Sequence, residues 1–214
     1  MNVVARREVS IVTPEATLTG DLTLPPDARG IVLFAHGSGS SRRSPRNRYV
    51  ASEIVAGGLG TLLFDLLTEA EERRDRSDAS LRFDIGLLAR RLADATRWLR
   101  QQSWGQDPTL GYFGASTGAA AALVASVQCE VAAIVSRGGR PDLAGAALPG
   151  VRAPTLLIVG SEDPVVLDLN RRAQAYMRCE SRLEIVAGAT HLFEEPGTLE
   201  EVARLATAWF RRWL

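Results

Sequence analysis

Apolar and polar residues alternate at the start of this chain and then fuse into solid apolar runs. Over Glu8 to Val12 and Leu18 to Leu24, the alternation and the β-branched residues predict two strands. Pro14-Glu15 between them makes this an opening hairpin, and Pro25-Pro26-Asp27 ends the pattern. Gly30 to Ala35 is apolar throughout, as expected of a strand covered on both faces. Comparable runs recur at Thr61 to Phe64, Thr109 to Phe113, Ala132 to Val135, Thr155 to Val159 and Leu183 to Val186. Between these runs the period lengthens. From Asp84 to Gln102, the residues Ile85, Leu88, Leu92, Ala95 and Leu99 step by three and four, one face of an amphipathic helix. Leu199, Val202, Ala206, Trp209 and Trp213 repeat the device near the C-terminus. Strands alternating with helices predict βαβ units, hence an α/β fold whose mostly parallel central sheet carries helices on both faces. Glu69 to Ser80 is charged without a stripe and reads as a solvated loop.

The 214 residues suit a single domain, 1–214, and the 46% hydrophobic content supports a sizeable core. Twenty-five basic residues balance 25 acidic ones, so no bulk field favours nucleic acid or an anionic membrane. Every basic residue is arginine, which removes Schiff-base lysines, pyridoxal attachment and a P-loop lysine from the available chemistry. Cys129 and Cys179 stand apart, which predicts neither a zinc site nor a disulfide framework. Met1 to Val12 carries Arg6, Arg7 and Glu8 where a signal peptide needs an apolar run, and no segment has the length of a membrane span. These features predict a cytoplasmic protein without a membrane, nucleic-acid, metal or cofactor partner.

Gly114-Ala115-Ser116-Thr117-Gly118 joins an apolar run to the Ala-rich stretch Ala119 to Ser126. A serine between two glycines at a strand-to-helix turn has the layout of a nucleophile elbow, where only small neighbours fit. A serine hydroxyl needs a base, oriented in turn by a carboxylate. The chain has two histidines, each just beyond an apolar run. His36 opens the small-residue loop Gly37-Ser38-Gly39-Ser40-Ser41, the place of an oxyanion loop, with the backbone amides of Ser38 and Thr117 as candidate donors. His191 is then the candidate base. In Gly160-Ser161-Glu162-Asp163-Pro164, Asp163 is the preferred acid, because it is the shorter one and Pro164 constrains its backbone. Glu162, Asp168 and Asp142 remain alternatives, whereas Asp65 reads as a loop anchor. The order Ser116, Asp163, His191 is that of α/β-hydrolases. His36, Arg42 and Arg137 are candidate substrate contacts. Arg43, Arg46, Arg48 and Arg140 also fall near the strand ends, and solvated surface is the simpler reading of these arginines.

With Phe34 to Ser41, Gly114 to Gly118, Gly160 to Asp163 and Gly188 to Phe193 in place, the chain resembles the α/β-hydrolase superfamily, and within it the dienelactone-hydrolase-like branch. The resemblance spans nearly the whole chain. It implies an α/β-hydrolase fold with Ser116 as nucleophile, His191 as base, Asp163 as its acid, and the Ser38 and Thr117 amides as oxyanion hole. One departure matters: dienelactone hydrolases carry cysteine at the elbow, so the resemblance does not carry dienelactone over as substrate. The chain is also similar to small hydrolase units that occur attached to phosphoribosyltransferase domains. Many relatives insert a lid where this chain has only Ser136 to Pro154, so an open site without a lid domain is expected. The activity implied is hydrolysis of small carboxylic esters through an acyl-enzyme. A thioesterase, an acyltransferase and a catalytically idle ligand receptor are the alternatives.

Overall fold

The computed structural model describes residues 4–102 and 108–214, which leaves Met1 to Val3 of the N-terminal segment outside the description. β1 (Ala5–Val12) and β2 (Thr17–Leu24) form the expected hairpin, paired antiparallel from Ala5↔Leu24 to Val12↔Thr17. The solid apolar runs become β3 (Gly30–Ala35), β4 (Gly60–Phe64), β5 (Thr109–Ala115), β6 (Ala133–Arg137), β7 (Thr155–Gly160) and β8 (Ser181–Val186). They lie side by side in the order β1-β2-β4-β3-β5-β6-β7-β8. β2 meets β4 antiparallel, and every pairing from β4 to β8 is parallel.

The helices are α1 (Pro45–Ala56), α2 (Glu69–Asp78), α3 (Ile85–Arg100), α4 (Thr117–Gln128), α5 (Pro164–Tyr176) and α6 (Thr198–Trp213). They divide the core in two. On one face α3 and α4 cover Ile31, Leu33, Tyr112 and Ile134, and on the other α1 and α6 cover Val32, Phe34, Phe113, Val135 and Ile158. Successive strand residues point to opposite faces, so a strand between two helical layers must be apolar at every position. β3 and β4 are accordingly buried at each residue. Tyr112 keeps its hydroxyl inside by donating to Thr96 Oγ1 at 2.6 Å, because Thr96 spends its own proton on the Leu92 carbonyl.

The segment 69–80 departs from expectation: most of it is helix α2, not a loop. Its periodicity gives no warning, since only Asp75 is buried. The ends define it instead. Thr68 and Glu71 form a reciprocal capping box, with Thr68 N–H donating to Glu71 Oε2 at 2.7 Å and Glu71 N–H to Thr68 Oγ1 at 3.2 Å. Glu69, Glu71 and Glu72 complement the positive end of the helix dipole. Arg91 of α3, only 3% exposed, then pairs with Glu71 at 2.9 Å and reaches Thr13 of the hairpin turn, fastening three elements together. Between β6 and β7 lies a 3₁₀ stretch, Pro141–Gly150, and no lid domain.

Two glycines set the closeness of β5, β3 and α4. A Cβ on Gly114 would lie 2.4 Å from Ala119 Cα, and one on Gly118 would lie 2.1 Å from the Ala35 carbonyl oxygen. Both clashes are with backbone, which cannot swing away. Gly118→Ala is therefore expected to destabilise the fold by about 3 kcal/mol or more, the upper range for an overpacked core. Urea unfolding should show this, against little change for Gly150→Ala, where the nearest atom to an added Cβ is 3.5 Å away.

Candidate active site

Ser116 ends the Gly114 turn with φ 51° and ψ −119°, a left-handed backbone that a serine adopts at a cost. The surrounding chain holds it there. Its N–H donates to the Arg137 carbonyl at 3.2 Å, and its carbonyl accepts from Ala119 N–H and Arg140 N–H, each at 3.1 Å. Gly37 passes so close that a Cβ there would meet Ser116 Cβ at 3.1 Å. The loop after β3 thus lies directly against the elbow, and α4 starts at the next residue with its N-terminal amides and positive dipole end at the same place.

His191 and Asp163 are brought together from the ends of β8 and β7. His191 Nδ1 donates to Asp163 Oδ2 at 2.6 Å, which leaves Nε2 as the free, proton-accepting nitrogen of the neutral ring. The two loops are laced to each other: Glu162 N–H donates to the Ala189 carbonyl at 3.0 Å, and Gly188 N–H to Ser161 Oγ at 2.8 Å. Gly160 lets them cross, since a Cβ there would lie 2.1 Å from the Ala189 carbonyl oxygen. Below His191, Phe193 is buried in the α1–α6 core, and Glu195 clasps Thr190 through its N–H and hydroxyl. Gly138, next after β6, lies against His191: a Cβ there would be 3.6 Å from its Cε1. The alternative acids are engaged elsewhere, Asp142 with Arg140, Asp168 with Arg172 and Glu162 with Ser161.

Three of the candidates have polar groups already engaged within the protein. His36 is buried with both ring nitrogens committed: Nε2 accepts from Leu66 N–H at 3.1 Å, which obliges Nδ1 to carry the proton shared with the Gly37 carbonyl at 3.0 Å. It staples the loop and has no nitrogen left for substrate. Arg42 is likewise withdrawn from substrate, because Asp65, Glu8 and Asp21 surround its guanidinium and Asp65 also accepts its N–H. Asp65 is thus the anchor of this loop. Ser38 N–H, the expected oxyanion donor, donates at 2.9 Å to the side-chain oxygen of Thr117. Sequence reasoning credited Thr117 with its amide alone, and no sequence signal distinguishes the hydroxyl's part.

Of the remaining arginines, Arg140 pairs with Asp142 and Arg46 with Glu194, Arg48 is exposed, and Arg43 lines a cleft of about 560 Å³ between the Gly37–Ser41 loop and α2. Arg137 is 7% exposed, its Nη1 is buried without a partner, and burial together with the nearby Arg46 charge lowers its pKa to about 10. Among the described residues no cluster of three or more His, Cys, Asp or Glu is arranged to hold a metal, and no helix is long and apolar enough to cross a membrane.

This sheet order, with a strained serine between strand and helix and a His–Asp pair at later strand ends, defines an α/β-hydrolase. No family model matches the chain. A solved dienelactone hydrolase from Anabaena variabilis superposes with a TM-score of 0.97 at 55% identity, covering 99% of both chains. An esterase from Pyrococcus furiosus shares the fold, with a TM-score of 0.76, 17% identity, and 98% and 92% of the two chains covered. The chain therefore belongs to the dienelactone hydrolase branch of the α/β-hydrolase superfamily, and membership supports a hydrolase. Two Mycobacterium tuberculosis proteins provisionally named phosphoribosyl transferases are 59% identical over 205 residues, 95% of this chain. The chain spans only 45% of the length of those relatives.

The His36 staple carries a pH consequence. Burial lowers its pKa below the ordinary 6.5, so between that value and the folded-state pKa the unfolded chain binds a proton that the folded one refuses. Stability therefore falls on acidification through this window, by at most about 1.4 kcal/mol per pH unit. Melting temperatures at pH 7.5 and 5.5 should show the loss in the wild type and a shallower slope in His36→Gln.

Proposed function

We propose that this chain is a serine hydrolase cleaving small carboxylic esters. The observation that carries the reading is the 2.6 Å His191–Asp163 hydrogen bond, at the same end of the sheet as a serine held at positive φ. In this mechanism Ser116 Oγ attacks the acyl carbonyl while His191 Nε2 takes the hydroxyl proton. Asp163 accepts the Nδ1–H, which fixes the productive tautomer and stabilises the imidazolium that forms. The new oxyanion is met by the Thr117 amide at the head of α4 and by the Ser38 amide, which then shares its one proton between the oxyanion and Thr117 Oγ1. Collapse expels the alcohol, which takes the proton back from His191. Water, deprotonated by the same histidine, then attacks the acyl-enzyme and releases the acid. A thioester or an alternative acyl acceptor suits the same machinery, and competition among substrates ranks them.

Thr117 ties the two oxyanion donors together, because its side-chain oxygen receives the Ser38 N–H while its own N–H is the second donor. The hydroxyl thereby sets their separation. Removing it should loosen a group that acts only on the transition state, so kcat should fall and KM should hold.

Ser116→Ala and His191→Ala should each lower kcat on chromogenic esters by about 10⁴-fold or more, and Asp163→Asn by about 10³-fold or more. Labelling by a serine-reactive phosphonate should vanish in Ser116→Ala. A wild type that neither labels nor turns over any ester points to the ligand-receptor reading. Thr117→Val should lower kcat by about tenfold or more, the scale of one weakened oxyanion contact, with Thr117→Ser restoring most of it.

A further inference from the structure

α5 buries one stripe, Val166, Asn170 and Ala173, and the middle position of that stripe is an amide. Asn170 is 0% exposed. Its Nδ2 donates to the Val166 carbonyl at 2.8 Å and to the Gly139 carbonyl at 2.9 Å. Two carbonyls facing one nitrogen fix the orientation of the amide, since the flipped form sets oxygen against oxygen. Oδ1 is then buried without a hydrogen-bond partner among the described residues. Leucine has nearly the same shape and would bury no unmet acceptor of its own. What the amide adds is its hold on the loop after β6. That loop presses on the first turn of α4, where a Cβ on Gly139 would lie 2.6 Å from Ala119 Cβ. Gly138 N–H ties the same loop to the Ile158 carbonyl of β7 at 2.8 Å.

The Gly139 carbonyl and the Arg140 N–H belong to one planar peptide unit, so a bond at one end aims the other. Arg140 N–H donates to the Ser116 carbonyl at 3.1 Å. That carbonyl shares the next peptide unit with the Thr117 N–H, the oxyanion donor of the mechanism above. The path runs from Asn170 Nδ2–H to Gly139 O, from Arg140 N–H to Ser116 O, and from Thr117 N–H to the oxyanion. All three donors point the same way, so each bond polarises the next. We propose that Asn170 is a positioning residue for the oxyanion hole, aiming and polarising the Thr117 amide through the peptide between Gly139 and Arg140. This rests on the esterase reading above and adds no contact with substrate. The hold matters because Ser116 sits at φ 51°: relaxing that backbone rotates the Ser116–Thr117 unit, and the Arg140 bond opposes the rotation. α5 starts directly after Asp163, so one helix carries the acid at its head and this amide about two turns on.

The test compares 4-nitrophenyl butyrate with its thionoester, in which sulfur replaces the carbonyl oxygen, with spontaneous hydrolysis subtracted. Sulfur accepts hydrogen bonds poorly, so the ratio of the two rates reads the oxyanion donors and little else. Asn170→Leu should lower kcat on the oxygen ester by about tenfold at unchanged KM, and the oxygen-to-sulfur ratio should fall with it. Val166→Ala, on the same buried stripe, should lower the melting temperature and keep both kcat and the ratio. Wild-type kcat and ratio in Asn170→Leu overturn the proposal and leave the esterase reading standing. An equal loss on both esters marks a merely structural amide and overturns it also. A second measurement needs no variant. When the serine-reactive phosphonate labels the ¹⁵N-labelled wild type, the Thr117, Arg140 and Asn170 Nδ2 protons should all shift downfield in the NMR spectrum. A shift confined to Thr117 overturns the relay even if Asn170→Leu fails to fold. A wild type that neither labels nor turns over either ester sinks the esterase reading, and the positioning role goes with it.

Discussion

Everything at the carboxyl end of this sheet follows from how closely β3, β5 and the start of α4 approach one another. Gly114 and Gly118 stand where no side chain fits and Gly37 where one would be tight, and the backbone left between them turns so sharply that Ser116 sits at φ 51°. Such a conformation persists only where the surroundings over-determine it. Here they do so through the Arg137 carbonyl on one side and the Ala119 and Arg140 amides on the other. The strain is thus shared by a strand end, a helix start and the loop after β6, and a change in any of them reaches the serine.

Charge organises what the glycines bring near. Arg42 ties the loop after β3 to Asp65 and the hairpin, and Arg91 ties α2 to α3 and the hairpin turn. Arg82 secures the end of α2 through Asp75, which also accepts the Leu81 and Arg82 amides. With no lysine available, arginine serves as the structural strut of this fold, and its planar fork suits ties that must hold a direction. Against this background of matched guanidiniums, an unmatched one beside the elbow stands out.

The sheet and its helices were legible because strands covered on both faces leave no polar positions, and α3 and α6 carry stripes at helical spacing. The Asp163–His191 pair was legible because each residue follows an apolar run, and parallel strands deliver such positions, that of Ser116 included, to one end of a sheet. α2 was illegible because it buries one carboxylate and owes its existence to a capping box and cross-chain arginine contacts. Arg42 looked available since its partners Glu8, Asp21 and Asp65 lie in separate strands and loops. The partner that fixes the His36 ring, the Leu66 amide, is likewise distant in the chain. Long-range pairing decides which polar residues are free, and local pattern does not record it.

Phe193 adopts φ 56° and is 1% exposed, packed in the α1–α6 core two residues beyond His191. Loops over a sheet usually open by local fraying, at little cost. This one has its floor nailed into the core, so lifting the imidazole away requires withdrawing a phenyl ring from among Val202, Ala206 and their neighbours. Amide exchange in the loop is thereby coupled to the packing of α6 against the sheet. The working life of the site is set by the cohesion of a helix at the far end of the sequence.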